Sequence, residues 1–513
     1  CMMSLQTAET LIRRCFEELD QGGFVSFAFQ GGEPTLAGLD FFLFFTQTVR
    51  KYNQKCVTVQ YAIQTNGLAV AEEWAKFFRE ENFLVGISLD GTPDVHDALR
   101  PDVSGDGTWT RVMQMIKLLE QYHIECNLLC VVTKRLAKKA ERVYKSMKAT
   151  GVRYLQFIPC LDPLGAQRGI ENYSLSPELY AQFLCALFDA WYRDWKTGVY
   201  VSVRLFEDYI QLLMGAPTGT CSTTGACGSY MVVEGSGAVY PCDFYCLDEY
   251  KLGTIQNDSL QSLLLGEKMR IFIKDGRNVP AECQQCRWVN LCYGGCKRDR
   301  NTADKAQRSY YCKALQKFFA YAEPRMREMA RAVQLFLSTF KLSACTFGGG
   351  FVIIPLMRER FVKELHWIEE EEMLDLTAIA QSSPGSIAIN ASILVGYHVA
   401  GIPGALITVV GSALPPLIII SIISAFYQAF RSNKYVSMAM AGMLAGVAAV
   451  IFDVVINMAW PILKKKRLLP IAVMLAAFVA TRFFSVNIIL IILVCGVIGA
   501  LDTLYLQRKE VEE

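Results

Sequence analysis

The chain has 513 residues, enough for several domains, and a formal net charge of +2. With 51 basic against 49 acidic side chains there is no electrostatic case for nucleic acid as a partner. The residues are unevenly spread: sixteen of the 18 cysteines precede residue 313, whereas no Asp, Glu, Lys or Arg occurs from Leu376 to Phe430. A bilayer demands such an uncharged run and water rarely tolerates it, so the sequence predicts a soluble metalloprotein joined to a membrane domain.

Apolar β-rich runs alternate with amphipathic helical ones through the first 200 residues, the pattern of a parallel sheet with crossover helices. Strands are predicted at Phe24–Phe29, Val57–Ile63, Leu84–Leu89, Cys126–Val132 and Tyr154–Ile158. Helical patterns fall at Ser4–Leu19, Leu39–Lys51, Ala71–Glu80, Thr110–Tyr122, Leu136–Ala149 and Ser176–Trp195. This is the signature of a partial (β/α) barrel, whose reactive face lies in the loops after the carboxyl ends of the strands. Those loops carry Gln30-Gly31-Gly32-Glu33-Pro34-Thr35, Gln64-Thr65-Asn66-Gly67 and Ser88-Leu89-Asp90-Gly91. Paired glycines let backbone approach a ligand, and the Glu33 carboxylate suits an ammonium group. A tight strand-to-helix turn started by Pro34 explains the first loop equally well, and Asn-Gly and Asp-Gly are turn formers in their own right.

The stretch from Cys221 to Cys312 holds nine cysteines, with a core of Cys283-x2-Cys286-x5-Cys292-x3-Cys296. Cys221, Cys227 and Cys242 lead into it and Cys312 closes it. Short, uneven intervals let successive turns of backbone each deliver one soft ligand. Eight thiols make two four-ligand sites, and Cys246 is left over. Disulfides are disfavoured, since nothing resembles a secreted mini-protein; two zincs and two iron–sulfur cubanes both fit the spacing.

The residues between the cysteines carry a resemblance. Gly237-Ala-Val-Tyr-Pro-Cys242-Asp243-Phe244 and Cys292-Tyr-Gly-Gly-Cys296 resemble the SPASM extension of radical S-adenosylmethionine (SAM) enzymes, and among them the anaerobic sulfatase-maturating enzymes. The resemblance implies two auxiliary 4Fe-4S clusters, one on Cys221, Cys227, Cys242 and Cys296, the other on Cys283, Cys286, Cys292 and Cys312. It makes Gly31-Gly32-Glu33-Pro34 the GGEP motif that holds the methionyl amine of SAM. It places Gln64, Asn66, Ser88, Asp90, Arg100 and Leu161 around the SAM pocket. Asp243 matches the base that takes a proton while a sulfatase cysteine or serine is oxidised to Cα-formylglycine; a loop-capping Asp is the plain alternative. The family binds its third, catalytic cluster through Cys-x3-Cys-x2-Cys, upstream of GGEP. Cys1, Cys15 and Cys56 have the wrong spacing, so the first barrel strand and its ligands are expected to be absent, through a sequence that begins inside a longer gene, and the chain to be inactive in SAM cleavage.

Beyond residue 334 apolar spans are predicted at Leu335–Met357, Ser386–Val399, Pro403–Tyr427, Val436–Leu463, Leu468–Phe484 and Val486–Leu506, about six crossings of an all-α membrane domain. The distribution of Lys and Arg places residues 1–330 in the cytoplasm, beneath an inner or plasma membrane. Phe347-Gly348-Gly349-Gly350 and Ser383-Pro384-Gly385-Ser386-Ile387-Ala388-Ile389-Asn390 bring Gly and Pro to membrane depth, where they either line a cavity or pack helices closely. Together with Trp367-Ile368-Glu369-Glu370-Glu371-Glu372, these motifs resemble one unit of the chromate transporter family. The resemblance implies transport of chromate or a sulfate-like oxyanion and pairing with a second unit. Gly348, Gly349, Gly350, Pro384, Gly385 and Asn390 are the candidate transport residues, with Asp453 added because it is charged inside an apolar span.

The expected domains are a radical SAM partial barrel over 1–215, a SPASM domain over 216–330 and a transporter-like domain over 335–513. The expected function is a sulfatase maturase acting on a sulfatase polypeptide, fused to an oxyanion transporter. The alternative is a transporter as the only working activity, behind a vestigial enzyme fragment.

Overall fold

In the computed structural model the described residues are 2–225, 227–228, 230–300, 308–345, 350–426 and 468–484, with isolated positions between 434 and 499. They divide into two compact units, Cys1–Arg331 and Ala332–Glu513.

In the first unit, six strands form one sheet in sequence order: β1 (Phe24–Phe29), β2 (Thr58–Thr65), β3 (Phe83–Ser88), β4 (Cys126–Val132), β5 (Tyr154–Pro159) and β6 (Ser202–Val203). Every pairing is parallel. Between the strands run α1 (Leu5–Glu18, preceding β1), α2 (Leu39–Tyr52), α3 (Glu72–Glu80), α4 (Pro93–Leu99), α5 (Trp109–Gln121), α6 (Lys134–Ala137), α7 (Ala140–Lys148) and α8 (Pro177–Lys196), and α9 (Arg204–Leu213) follows β6. Local sequence fixes several starts. Ser4 Oγ accepts the Thr7 amide at 3.1 Å to cap α1, and Ser176 caps α8 with Pro177 at its first position. The helix predicted over Leu136–Ala149 is two helices, because Lys139 leaves helical geometry at φ −126°. The two-residue strand β6 and helix α4 were not anticipated: each is shorter than the window over which periodicity becomes readable.

The sheet is buried on its helix side by Val85, Ile87, Leu128, Cys130, Val132, Leu155 and Phe157. Phe29, Phe42, Phe45, Trp74, Phe77 and Phe83 interlock edge-to-face behind β1–β3. On the opposite, concave side the registers Gln64↔Gly86 and Gly86↔Asn127 set three residues in one row. A Cβ on Gly86 would strike the Gln64 amide and come within 3.1 Å of Asn127 Oδ1, so a glycine is required there.

The cysteine-rich part is built on an antiparallel sheet of β7 (Val232–Val233), β8 (Ala238–Tyr240) and β9 (Gly253–Thr254). Val239, Ile255 and Leu263 form its small core. So few apolar residues leave little hydrophobic stabilisation, the usual circumstance in which metal ligation completes a fold.

The second unit contains helices Gly350–Arg358 and Glu370–Ser382 and the apolar segment Ile387–Ala425. A reciprocal capping box between Glu369 and Glu372 starts Glu370–Ser382. The apolar segment is two helices broken at Ala400 and Gly401 (φ 62°), which fold back on each other. Gly396 and Gly404 meet backbone to backbone at the fold, and Ser412 Oγ bonds Ser392 Oγ at 2.8 Å. Ile402, Leu406, Val410 and Leu417 recur at turn spacing on an exposed face, an arrangement suited to lipid. The break corresponds to the predicted gap between Ser386–Val399 and Pro403–Tyr427. Six spans are not what the described residues show: Ile387–Ala425 alone among them is long and apolar enough to cross a membrane. The spans expected at Val436–Leu463 and Val486–Leu506 lie outside the described residues, apart from isolated positions.

Candidate functional site

Parallel strands in consecutive order bring the ends of β1, β2, β3 and β5 to one rim. Gly31, Gly32, Glu33 and Pro34 follow β1; Gln64 and Asn66 close β2; Ser88 ends β3; Leu161 follows β5. Glu33 is the hub. Its Oε1 accepts the Thr35 amide, the Thr35 hydroxyl at 2.6 Å and the Thr65 hydroxyl at 2.7 Å, and its Oε2 accepts the Asn66 amide at 2.6 Å. One carboxylate therefore welds the first loop to the second, and Pro34 opens a short helical turn, as the plain reading of the motif requires. Gly31 and Gly32 take left-handed φ of 96° and 56°, and a Cβ on either would project into open space. The outer side of this loop is bare backbone that a ligand can approach.

Gln64 Nε2 donates to Ser88 Oγ at 3.2 Å. Asp90 is placed differently from its neighbours: it is 2 % exposed, accepts the Val131 amide at 2.8 Å and pairs with Arg100 at 2.7 Å. Its own amide donates to His96 Nδ1, and His96 Nε2 reaches Thr108 Oγ1 at 3.0 Å. Asp90 and Arg100 thus brace the rim from beneath.

The eight thiols fall into two quartets. Cys283, Cys286, Cys292 and Cys312 border one cavity of about 90 Å³. Cys292 lies in the electrostatic field of the other three. Cys296 lies in that of Cys221 and Cys242, and Cys227 in that of Cys221. Gly276 leaves the space that Cys227 occupies. Burial pushes the thiols up, to about 12 for Cys242 and Cys296 and about 11 for Cys292, so they hold their protons until something electrophilic displaces them. Cys246 stands apart, its thiol turned to the Cys242 carbonyl.

Asp243 follows Cys242 and faces the rim. Gln30 Nε2, from the loop before Gly31, donates to Asp243 Oδ2 at 3.5 Å. Tyr230 donates its hydroxyl to Asp243 Oδ1 at 2.6 Å, and burial together with that carboxylate raises the tyrosine well above its ordinary range. A second strut joins barrel and cysteine loops. The buried Arg298 donates to the Asp162 carbonyl at 2.5 Å, and Arg168 donates to the Arg298 carbonyl at 2.7 Å and to Asp299 at 3.2 Å. The Arg298 amide also donates to Cys296 Sγ at 3.4 Å. Sequence reasoning missed Gln30, Tyr230, Arg168 and Arg298. Only Gln30 carried a signal, standing next to the GGEP glycines.

In the second unit, Asn390 donates to the carbonyls of Ser383 at 3.2 Å and Ala380 at 3.4 Å, and so pins the turn through Pro384 and Gly385 (φ 118°). Gly350 begins a helix. Gly348, Gly349 and Asp453 lie outside the described residues.

Comparison with known proteins places these features. Residues 6–146 match the Radical SAM superfamily model, residues 221–287 the SPASM model, an iron–sulfur cluster-binding domain, and residues 333–500 the chromate transporter model. A cysteine-type anaerobic sulfatase-maturating enzyme of Clostridium novyi is 43% identical over 320 residues, 62% of this chain and 85% of the relative. A serine-type enzyme of Bacteroides thetaiotaomicron is 31% identical over 325 residues, 60% of this chain and 78% of the relative. The solved structure of anSMEcpe with bound AdoMet and a Kp18Cys peptide superimposes with a TM-score of 0.62 at 42% identity, covering 64% of this chain and 91% of that one. For the second unit, an uncharacterized transporter of Bacillus subtilis is 29% identical over 131 residues, 26% of this chain and 71% of the relative. The chain belongs to the anaerobic sulfatase-maturating enzyme family and carries a chromate transporter domain behind the enzyme part.

Proposed function

We propose that the first unit is a cysteine-type maturase, oxidising a cysteine of a sulfatase polypeptide to Cα-formylglycine. The observation that carries this reading is the contact between Gln30 on the barrel rim and Asp243 on the cysteine-rich domain, 213 residues apart. It brings a candidate base to the mouth of a radical SAM barrel, beside a thiol of one quartet. The greater identity to cysteine-type than to serine-type relatives supports the substrate class.

SAM and the iron–sulfur clusters, when bound, supply a radical that takes hydrogen from the substrate Cβ and a sink for the electron left behind. The remaining chemistry belongs to the chain. The bare backbone of Gly31 and Gly32 receives the methionyl part of SAM, with Glu33 Oε2 turned to its ammonium group. Gln64, Asn66, Ser88 and Leu161 line the rest of that pocket, while Asp90 and Arg100 hold its floor. Asp243 Oδ2 takes the substrate thiol proton, since Oδ1 is already engaged by Tyr230.

Cys221, Cys227, Cys242 and Cys296 hold one four-iron cluster, and Cys283, Cys286, Cys292 and Cys312 another. The donor set fits: thiolates are the ligands such clusters take, and the second quartet surrounds a space larger than one water occupies. Among the described residues no three His, Cys, Asp or Glu groups converge on a single ion, which zinc would need.

The second unit is an oxyanion-transporting membrane domain, with chromate or a sulfate-like anion as cargo and a second such unit as partner. The enzyme unit lies on the cytoplasmic side.

Turnover of a cysteine-bearing sulfatase peptide by the anaerobically reconstituted protein, read as aldehyde by mass spectrometry, tests the enzyme reading. Zinc in place of iron in the reconstituted protein would end it. For the transporter, vesicles carrying the full chain are expected to move chromate in competition with sulfate. Correctly inserted protein without flux would refute that assignment.

A further inference from the structure

We propose that Tyr230 is a positioning residue that ties the proton acceptor Asp243 to the sulfur of Cys242. The proposal rests on the reading of Asp243 as base and Cys242 as cluster ligand. Three polar atoms form a closed triangle: Tyr230 Oη lies 2.6 Å from Asp243 Oδ1 and 3.7 Å from Cys242 Sγ, and Sγ and Oδ1 are 3.4 Å apart. While Cys242 is a thiol, it donates to the carboxylate. A ligating cysteine has given up that proton. Sulfur and carboxylate then face each other as two negative atoms with no donor of their own, a repulsive arrangement. Tyr230 supplies the missing donor to both, as a charge-assisted hydrogen bond.

The carboxylate is thereby gripped from two sides. Oδ1 turns to Tyr230 and Cys242, while Oδ2 turns to Gln30 and the rim. Tyr230 is 44% exposed, so its ring flanks the opening and is not locked in the core. Hydrogen bonds to cluster sulfurs raise reduction potential. The same phenol therefore aims the base and eases acceptance of the electron, which joins the two departures from the substrate at one side chain.

The test is pulsed proton spectroscopy of the reduced, reconstituted full chain in H2O and D2O, with midpoint potentials from a redox titration. The wild-type protein is expected to show an exchangeable proton coupled to the cluster at Cys242. Tyr230→Phe should lose that coupling and shift the potential of that cluster to more negative values. The cluster at Cys283, Cys286, Cys292 and Cys312 should keep its potential in the same sample. Wild-type protein without an exchangeable coupling overturns the proposal, as does a fully iron-loaded Tyr230→Phe with coupling and potential unchanged. Should Tyr230→Phe fail to take up iron, Tyr230→Met provides the same comparison. Full turnover by Asp243→Asn, together with loss of the coupling in Tyr230→Phe, would sink the base assignment and leave the tyrosine bridge standing.

Discussion

Glu33 shows how one side chain carries two duties. Its four hydrogen bonds all come from Thr35, Thr65 and Asn66, so the loop is shaped before any ligand arrives. Glu33→Gln replaces one acceptor oxygen by an NH2 group facing donors, and SAM affinity should fall by about tenfold or more, checked by equilibrium binding. Asp243→Asn keeps size and removes the proton acceptor; kcat should drop about 10²–10⁴-fold with KM nearly unchanged.

His96 gives a pH dependence. Its Nδ1 accepts the Asp90 amide, so the proton sits on Nε2, and burial lowers its pKa. Below its ordinary value of about 6.5 the unfolded chain binds a proton that folded His96 refuses. Stability of the first unit therefore falls as pH drops through that window. Denaturation midpoints at neutral pH and near pH 5.5 should show this component in wild type and not in His96→Gln.

Among the elements, the Arg298 strut and the glycine contact decide the most. Arg298 is buried and reaches from the cysteine loops to the loop after β5, where it meets the Asp162 carbonyl. Arg298→Met should cost about 2 kcal/mol and loosen the Cys296 loop, seen as a lower denaturation midpoint and earlier proteolysis between Gly294 and Arg300. In the membrane domain the hairpin closes because neither Gly396 nor Gly404 has a side chain. Gly404→Val forces the helices apart against packed backbone, at a cost of about 1–3 kcal/mol. Chromate flux per inserted molecule should fall with it.

At the scale of the whole molecule, the two units are chemically unlike. One gathers soft sulfur ligands around a polar rim and the other presents leucine, isoleucine and valine outward. Chelation should therefore separate them: stripping iron should lower the thermal midpoint of the first unit and leave chromate flux through the second unaltered, measured on the same preparation.

The sequence by itself determined the strand-and-helix order of the barrel, the cysteine spacing, the rim motifs and the apolar character of the rear. Each of these is written locally: as a period, as a short interval between ligands, or as glycine and proline at a turn. β1 and β4 fall where Phe24–Phe29 and Cys126–Val132 predict them. What only the tertiary structure decided is which groups meet. The pairings of Gln30 with Asp243 and of Arg298 with Asp162 join residues more than a hundred positions apart, as does the neighbourhood of Cys221 and Cys242 with Cys296 reaching across the intervening loops. No pattern along the chain encodes such meetings, because they follow from how parallel strands stack their ends on one rim and how the cysteine loops fold against it.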